Sequence, residues 1–378
     1  MFEKTKALCD SFLEMGVPGF DLMICKDGQC ILRYMNGYSD RHYKTPMKGD
    51  EQYNIYSCSK VITCVALLQL WEKGMFKLED KLSKYMPEFE HMTVKTEDGV
   101  REAKNPILIE NLFTMTAGLN YNLATPALRK LKADTNGRCP TREVARAIAE
   151  GPLEFEPGTQ YLYSLAHDVL AALLEVLTGE KFEDYVREHI FEPLGMTRTD
   201  FLLPMEEYRN IIPLYRGCED GSVIPHFLGN VPSYRIGIEH ASGGAGCAST
   251  VEDYMKFLEA LRTGEKLLKR ETIRMMATDR LTPAQREGFK LRQNYGYGLG
   301  VRVADEGSGR YDFGWGGAAG AYLAVDETHN MTMYYAQHVI LSPNVDQRGK
   351  IYTTVLEELE GIIAREQAAD PELNKLTY

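Results

Sequence analysis

Ser57-Cys58-Ser59-Lys60-Val61-Ile62-Thr63-Cys64-Val65-Ala66-Leu67-Leu68-Gln69-Leu70-Trp71 is the stretch where an extended, polar segment gives way to an apolar run. The run predicts a helix opened by Ser57, with Lys60 one turn on, so that hydroxyl and amine share one face within hydrogen-bonding reach. A serine hydroxyl becomes a useful nucleophile only when a neighbouring base takes its proton, which a lysine can do in its neutral form. The helix start helps twice, because its positive end disfavours a nearby ammonium and its free N–H groups favour an oxyanion. S-x-x-K is therefore a mechanism as well as a spacing. Alone it is short. Two fixed positions recur about once or twice by chance in a chain of 378 residues, and Ser57 could equally be an N-cap with Lys60 a solvated first-turn residue.

Two further elements accompany it. The turn Glu156-Pro157-Gly158-Thr159 leads to Tyr163-Ser164, followed by Val169, Leu170, Leu173, Leu174 and Leu177 at helical spacing and closed by Gly179. A tyrosine just before a buried helix can share the nucleophile's proton with a lysine and pass a proton to a leaving group. The plain alternative is a core aromatic, one of 22 tyrosines. Phe313-Gly314-Trp315-Gly316-Gly317-Ala318 lies in a run of alternating apolar residues that predicts antiparallel strands at about 297–303, 310–317, 320–326 and 331–338. Glycines there mark close approach of a ligand or another backbone. An edge strand of this kind offers N–H groups to a substrate carbonyl, and Ala318 with Ser57 would make a two-donor oxyanion hole. Its alternative is a glycine-rich bulge beside a core tryptophan.

With these elements in this order, the chain resembles the serine β-lactamase and penicillin-binding-protein superfamily, in its branch of class C β-lactamases, family VIII carboxylesterases, DD-peptidases and D-aminopeptidases. The resemblance covers nearly the whole chain. It extends to Asp80-Lys81-Leu82-Ser83-Lys84-Tyr85-Met86-Pro87, Ile109 to Leu119, Phe191-Glu192-Pro193-Leu194-Gly195-Met196 and Gly243 to Thr250. By position it implies Ser57 as the acylated nucleophile, Lys60 as base and Tyr163 as its proton-sharing partner. Ser57 and Ala318 become the oxyanion donors, and Trp315, Gly316 and Gly317 the substrate-binding strand.

Two departures bear on function. Many members read Tyr-x-Asn at the second motif, whereas Leu165 stands here, removing a side-chain amide that would contact substrate and lysine. Asp168 matches Tyr-Ser-x-x-x-Asp of esterase relatives; it either orients the catalytic network or, the preferred reading, sits in a first helical turn where an acid is favourable. Trp315-Gly316-Gly317 replaces Lys-Thr-Gly, and an indole supplies one donor and no charge to a substrate carboxylate. The change resembles family VIII esterases and tilts the substrate towards neutral esters. Arg235 and Arg292 are candidates to restore an anion site.

Composition excludes several classes. With 44% hydrophobic and 26% charged residues the chain can bury one large core or two moderate subdomains. A formal net charge of −11 gives no basic footprint for nucleic acid. No run approaches a membrane span, and Met1-Phe2-Glu3-Lys4-Thr5-Lys6 lacks a hydrophobic signal core, so a cytoplasmic protein is expected. The eight cysteines show neither C-x-x-C nor zinc spacing and read as reduced, mostly packed residues. Cys58 sits in the first helical turn, but its place after the serine points it away from Lys60. No H-E-x-x-H occurs, and His167 beside Asp168 reads as local packing. No metal or organic cofactor is implied.

Along the chain, a helix over about 3–15 precedes strands near 19–26 and 29–37, joined through Asp27-Gly28. A mostly helical middle follows, with one helix opened by the capping box Ser249-Thr250-Val251-Glu252. Strands return after Tyr295, and a helix of about 348–366 ends in a frayed polar tail, Gln367 to Tyr378. The expected fold class is α/β, of the α+β type, in a single domain 1–378. Residues 1–56 and 290–378 build an antiparallel sheet flanked by terminal helices, and 57–289 form an inserted, mainly helical subdomain. The cleft between them should hold the site, with loops near 120–140 and 202–240 shaping an acyl pocket lined by Tyr121, Tyr208, Tyr215 and Phe227. The expected function is a serine hydrolase of esterase type acting on small neutral esters. Its alternatives are a β-lactamase or D-peptide amidase or carboxypeptidase, and a penicillin-sensing or catalytically weak binding relative, which Leu165 keeps open. The partner is a small-molecule ester, β-lactam or D-peptide; the sequence names no oligomeric state.

Overall fold

Asp27 and Gly28 both take positive φ, 51° and 80°, the geometry that reverses two strands within two residues while matching their twist. The resulting hairpin pairs Gly19–Lys26 with Gln29–Asp40. On its other side, Gly19–Lys26 pairs with Met331–Ala336, Asp21 opposite Ala336 and Lys26 opposite Met331. That pairing joins the two ends of the chain in one antiparallel sheet of eight strands. Its order is Tyr295–Tyr297, Arg302–Ala304, Phe313–Gly314, Tyr322–Asp326, Met331–Ala336, Gly19–Lys26, Gln29–Asp40 and Thr45–Pro46. The computed structural model describes residues 1–204, 206–226 and 234–369.

Both faces of the sheet are covered, and strand alternation assigns the residues to each. Met331, Met333 and Tyr335 join Phe12, Phe20, Leu22, Ile24, Ile351 and Val355 in a core under the helices Glu3–Glu14 and Gly349–Ala369. Tyr334 and Ala336, with Leu323 and Val325, face the helical part. There Tyr334 stacks on Tyr254 of the helix Val251–Thr263 at 4.5 Å.

The expected opening helix at Ser57 is a 3-10 turn, Tyr56–Cys58, continued by an α-helix over Ser59–Glu72. That helix is buried on every side from Ser59 to Leu68, which makes it a central core helix rather than an amphipathic one. It stops at Gly74, whose φ of 74° allows the left-handed residue past the helix end. Its neighbour, Ala166–Thr178, closes at Gly179 with φ 77°, as its sequence predicts.

Several boundaries differ from expectation. The strand expected at 297–303 is two strands joined by a turn, because Gly298 and Gly300 reverse the chain; a Cβ at Gly298 would sit 2.1 Å from the Met276 carbonyl. The strand expected at an edge, Phe313–Gly314, runs inside the sheet. Past Gly314 its continuation keeps one neighbour, through the Gly316 to Tyr322 bridge. Val339–Ile340 leaves the sheet to pair in parallel with Tyr215–Gly217. The cap of the helix Val251–Thr263 is Thr250, accepting from Asp253 N at 3.1 Å, not Ser249. Ser249 is held instead in a strand, Ala248–Thr250, paired with Gln52–Asn54. The last helix runs to Ala369; residues 370–378 of the expected tail lie outside the described residues. No helix among the described residues is long and apolar enough to cross a membrane.

Candidate active site

Ser57 is reached from the strand Gln52–Asn54 through Ile55 and Tyr56. Tyr56 is fully buried with φ 47°, a left-handed conformation costing a bulky residue on the order of 1–3 kcal/mol. The strain lies one residue before the serine and sets Ser57 at the head of the buried helix, where first-turn N–H groups lack intrahelical partners. Ser57 is 9% exposed and Lys60 0%. Lys60 Nζ lies 3.3 Å from Ser57 Oγ and donates to the Gly244 carbonyl at 2.7 Å. Tyr163 Oη lies 2.6 Å from Ser57 Oγ. The three residues singled out by the first two motifs therefore converge on one oxygen.

Aromatic rings hold this cluster. Tyr163 is sandwiched between Tyr121, centroids 5.6 Å apart, and Trp315, 5.9 Å apart. Lys60 Nζ sits 4.5 Å from the centre of the Tyr163 ring and 5.4 Å from that of Tyr121, positions favourable for an ammonium over a π face. Trp315 Nε1 donates to Tyr163 Oη at 3.4 Å. An indole has one donor, and here Tyr163 takes it.

The third motif is pinned from behind. Arg302, 1% exposed, pairs with Asp312 at 2.6 Å and donates to the Trp315 carbonyl at 3.0 Å, so Trp315 rides on a buried ion pair whose disruption would strand a charge. Gly317 then packs against the residue two before the nucleophile: a Cβ there would sit 2.5 Å from the Ile55 carbonyl. The following residue, Ala318, is exposed, and its N–H donates to no protein acceptor among the described residues. Gly317→Ala must push this strand off Ile55 and carry Ala318 away from Ser57. We expect turnover of a chromogenic ester to fall about tenfold or more, with stability lowered by about 1–3 kcal/mol for the forced contact. Kinetics and a thermal melt on the same preparation check this; native turnover would separate Ala318 from the chemistry.

Asp168 does lie in the first turn of its helix, and it is also wired into a buried cluster that its sequence position does not announce. Ser242 Oγ donates to Asp168 Oδ1 at 2.6 Å, and His240 Nε2 lies 3.2 Å from the same oxygen. Oδ2 has no hydrogen-bond partner and faces Gly244, where a Cβ would come within 2.7 Å of it and 3.4 Å of Lys60 Nζ. Burial raises the Asp168 carboxyl, but His240, Ser242 and the Lys60 charge more than offset this and hold it below the usual carboxylate range. His167 is buried with both ring nitrogens unpartnered, and burial with the nearby Lys60 pushes it well below its ordinary value; local packing describes it.

Other candidates lie elsewhere. Tyr208 is buried with Leu203, Ile211 and Ala248, and Tyr215 belongs to the core under the terminal helices; both were expected at the pocket, and both are claimed by packing instead. Phe227 lies outside the described residues. Arg235 donates to Gly237 O at 2.8 Å and Tyr208 Oη at 2.9 Å and also reaches Ile238 O, and Arg292 is exposed beside Glu287. Neither reaches the serine. Burial pushes the Cys58 thiol up to about 12, which leaves it a packed residue. Leu165 is buried, its N–H donating to Asn120 O at 3.0 Å. Tyr234 touches Tyr121 and Tyr56, and Tyr297 and Phe289 touch Trp315; no motif marked these, since any of 22 tyrosines could pack so. Among the described residues one group of possible metal donors, Glu180, Glu188 and His189, converges, on the surface and with no contact to Ser57.

Residues 6–340 match the family described as Beta-lactamase. The chain belongs to that family. Within it, the chain is 28% identical over 282 residues to Esterase EstB of Burkholderia gladioli, covering 68% of each protein. Lovastatin esterase of Penicillium rubens is 25% identical over 347 residues, covering 84% of this chain and 86% of the relative. Among solved structures, EstCE1, described as a hydrolase with promiscuous acyltransferase activity, superposes with a TM-score of 0.76 at 24% identity, over 93% of this chain and 97% of that one. That likeness is one of fold. Such a Beta-lactamase-family scaffold joins an antiparallel sheet to a helical part, with Ser57 heading a helix of the latter and Trp315 continuing a strand of the former.

Proposed function

We propose that this protein is a serine hydrolase of esterase type that forms an acyl-enzyme on Ser57 and acts on small neutral esters. One observation carries the reading: Ser57 Oγ lies 2.6 Å from Tyr163 Oη and 3.3 Å from Lys60 Nζ inside an aromatic cage. Ser57 Oγ bonds to the ester carbonyl carbon while its proton passes to the Lys60 and Tyr163 pair. The carbonyl π pair moves onto oxygen, which the N–H groups of Ser57 and Ala318 receive. Collapse of the tetrahedral adduct breaks the bond to the leaving alcohol, and Tyr163 supplies its proton. Water, deprotonated by the same pair, then attacks the acyl carbonyl; the acid leaves and Ser57 regains its proton. Asp168, with Ser242 and His240, supports the loop that presents the Gly244 carbonyl to Lys60.

The preference for neutral esters rests on Trp315. Its only side-chain donor is spent on Tyr163, and Arg235 and Arg292 are engaged elsewhere, so the indole that stands in place of the lysine offers a substrate carboxylate no charge. Short neutral esters should react with kcat/KM at least about tenfold above a carboxylate-bearing cephalosporin, a gap of about 1.4 kcal/mol that one missing charge-assisted hydrogen bond can supply. Trp315→Lys should narrow the gap by improving the anionic substrate more than the neutral one. A panel of p-nitrophenyl esters, a chromogenic cephalosporin and D-alanyl peptides tests this. Preference for the cephalosporin or the peptides would replace the esterase reading with a β-lactamase or amidase, and a labelling burst without turnover would replace it with a binding relative. EstCE1's described acyltransferase activity adds an alcohol acceptor to the same panel, competing with water at the second step.

A further inference from the structure

The Gly317 carbonyl and the Ala318 N–H belong to one planar amide, so a group that binds the carbonyl end fixes the plane and polarises the N–H at the other. Two donors meet that carbonyl. Gly320 N lies 3.0 Å from it, and a guanidinium nitrogen of Arg348 lies 3.3 Å from it. The same nitrogen reaches the Ala321 carbonyl, also at 3.3 Å, and Ala321 O accepts from Gly317 N at 2.8 Å. Arg348 therefore clasps both ends of the turn Gly317 to Ala321, from a position just ahead of the closing helix Gly349–Ala369.

Arg348 has no close ion pair among the described residues, and the carboxylate of Asp346 acts on it only from farther off. The residue is half-buried, its Nε has no hydrogen-bond partner, and among the described residues no carboxylate lies within 4.0 Å of the guanidinium. A partly desolvated cation without a close counter-ion is costly, and the acyl-transfer reaction forms a negative charge at the other end of the amide that Arg348 holds. We propose that Arg348 is a positioning residue of the oxyanion site, one that orients and polarises the Gly317–Ala318 amide so that its N–H meets the charge formed on the substrate carbonyl. This rests on the acyl-enzyme reading above. As Ser57 Oγ bonds to the carbonyl carbon, the π pair moves to oxygen and the serine proton goes to Lys60 and Tyr163. An oxyanion forms only in the tetrahedral adducts of acylation and of deacylation, so an interaction aimed at it lowers those barriers without tightening substrate binding.

Arg348→Ala and Arg348→Lys, in the full chain and beside Ser57→Ala, test the inference. Removing a direct oxyanion donor costs about 10²- to 10³-fold in kcat, so losing the group behind the donor should cost less, about tenfold. The loss should fall on kcat, with KM for a neutral ester changed by less than about twofold. Fluorophosphonate labelling of Ser57 should slow by the same factor, and affinity for a boronic acid, which forms an anionic tetrahedral adduct on the serine, should fall with it. Added guanidinium ion should restore part of the rate to Arg348→Ala. Arg348→Lys, which keeps the charge but loses the fork, should fall between, and it carries the comparison if the alanine variant does not fold. Native kcat and boronate affinity in either folded variant would overturn the inference, as would a loss confined to KM for a carboxylate-bearing cephalosporin, which would make Arg348 a substrate anion site. Undiminished labelling and turnover in Ser57→Ala would instead overturn the acyl-enzyme reading and this inference with it.

Discussion

Ser57→Ala will abolish labelling by a fluorophosphonate and lower ester turnover by several orders of magnitude. Without the nucleophile only binding and oxyanion stabilisation remain, together worth about 10³- to 10⁴-fold over water. The fold should survive, since the change removes one oxygen from a residue that is 9% exposed and leaves the buried helix behind it untouched. A thermal melt on the variant separates loss of chemistry from loss of structure. Labelling that persisted would place the nucleophile elsewhere. Cys58 is the adjacent candidate, and iodoacetamide tests it; with burial pushing its thiol up to about 12, it should stay unmodified in the folded protein.

Lys60→Ala and Tyr163→Phe should each slow acylation by roughly 10²- to 10⁴-fold, the range of a positioned acid or base, while the double variant should be little worse than either alone. Groups that move one proton as a unit are strongly non-additive, and both lie within hydrogen-bonding distance of the same Ser57 oxygen. Tyr163→Phe is the sharper of the two. It keeps the ring between Tyr121 and Trp315, so stability should barely move while the rate falls. Near-native rates for the phenylalanine variant would make Tyr163 a packed aromatic, and simple additivity would make one of the pair a bystander. Single-turnover measurement of the acylation phase reads both outcomes.

The wider machinery is held by contacts of very different reach. Lys60 meets Ser57 across three positions and Gly244 across 184. Tyr163 meets Ser57 across 106. A mutation in the loop from His240 to Gly244, or in the strand behind Trp315, acts on the same few ångströms as one in the first motif.

Local geometry is legible along the chain, residue by residue. Ser57 and Lys60 share a face because helical periodicity puts residues three apart together. Asp27-Gly28 makes the hairpin because both residues accept positive φ, and Gly179 ends a helix for the same reason. Repeated landmarks then placed the chain in its family. Packing between distant segments set the rest. The left-handed Tyr56, the Gly244 carbonyl on Lys60, the partners of Asp168 and the spending of the Trp315 donor on Tyr163 leave no periodic trace, because each depends on which distant segment packing delivers. Tyr208 and Tyr215 show the same limit from the other side: as loop aromatics they were candidates for the pocket, and the core took them. Hydrogen-bond spacing along one element is written residue by residue, whereas the pairing of polar groups across elements is settled when the sheet and the buried helices close on each other and every desolvated donor must find what is there.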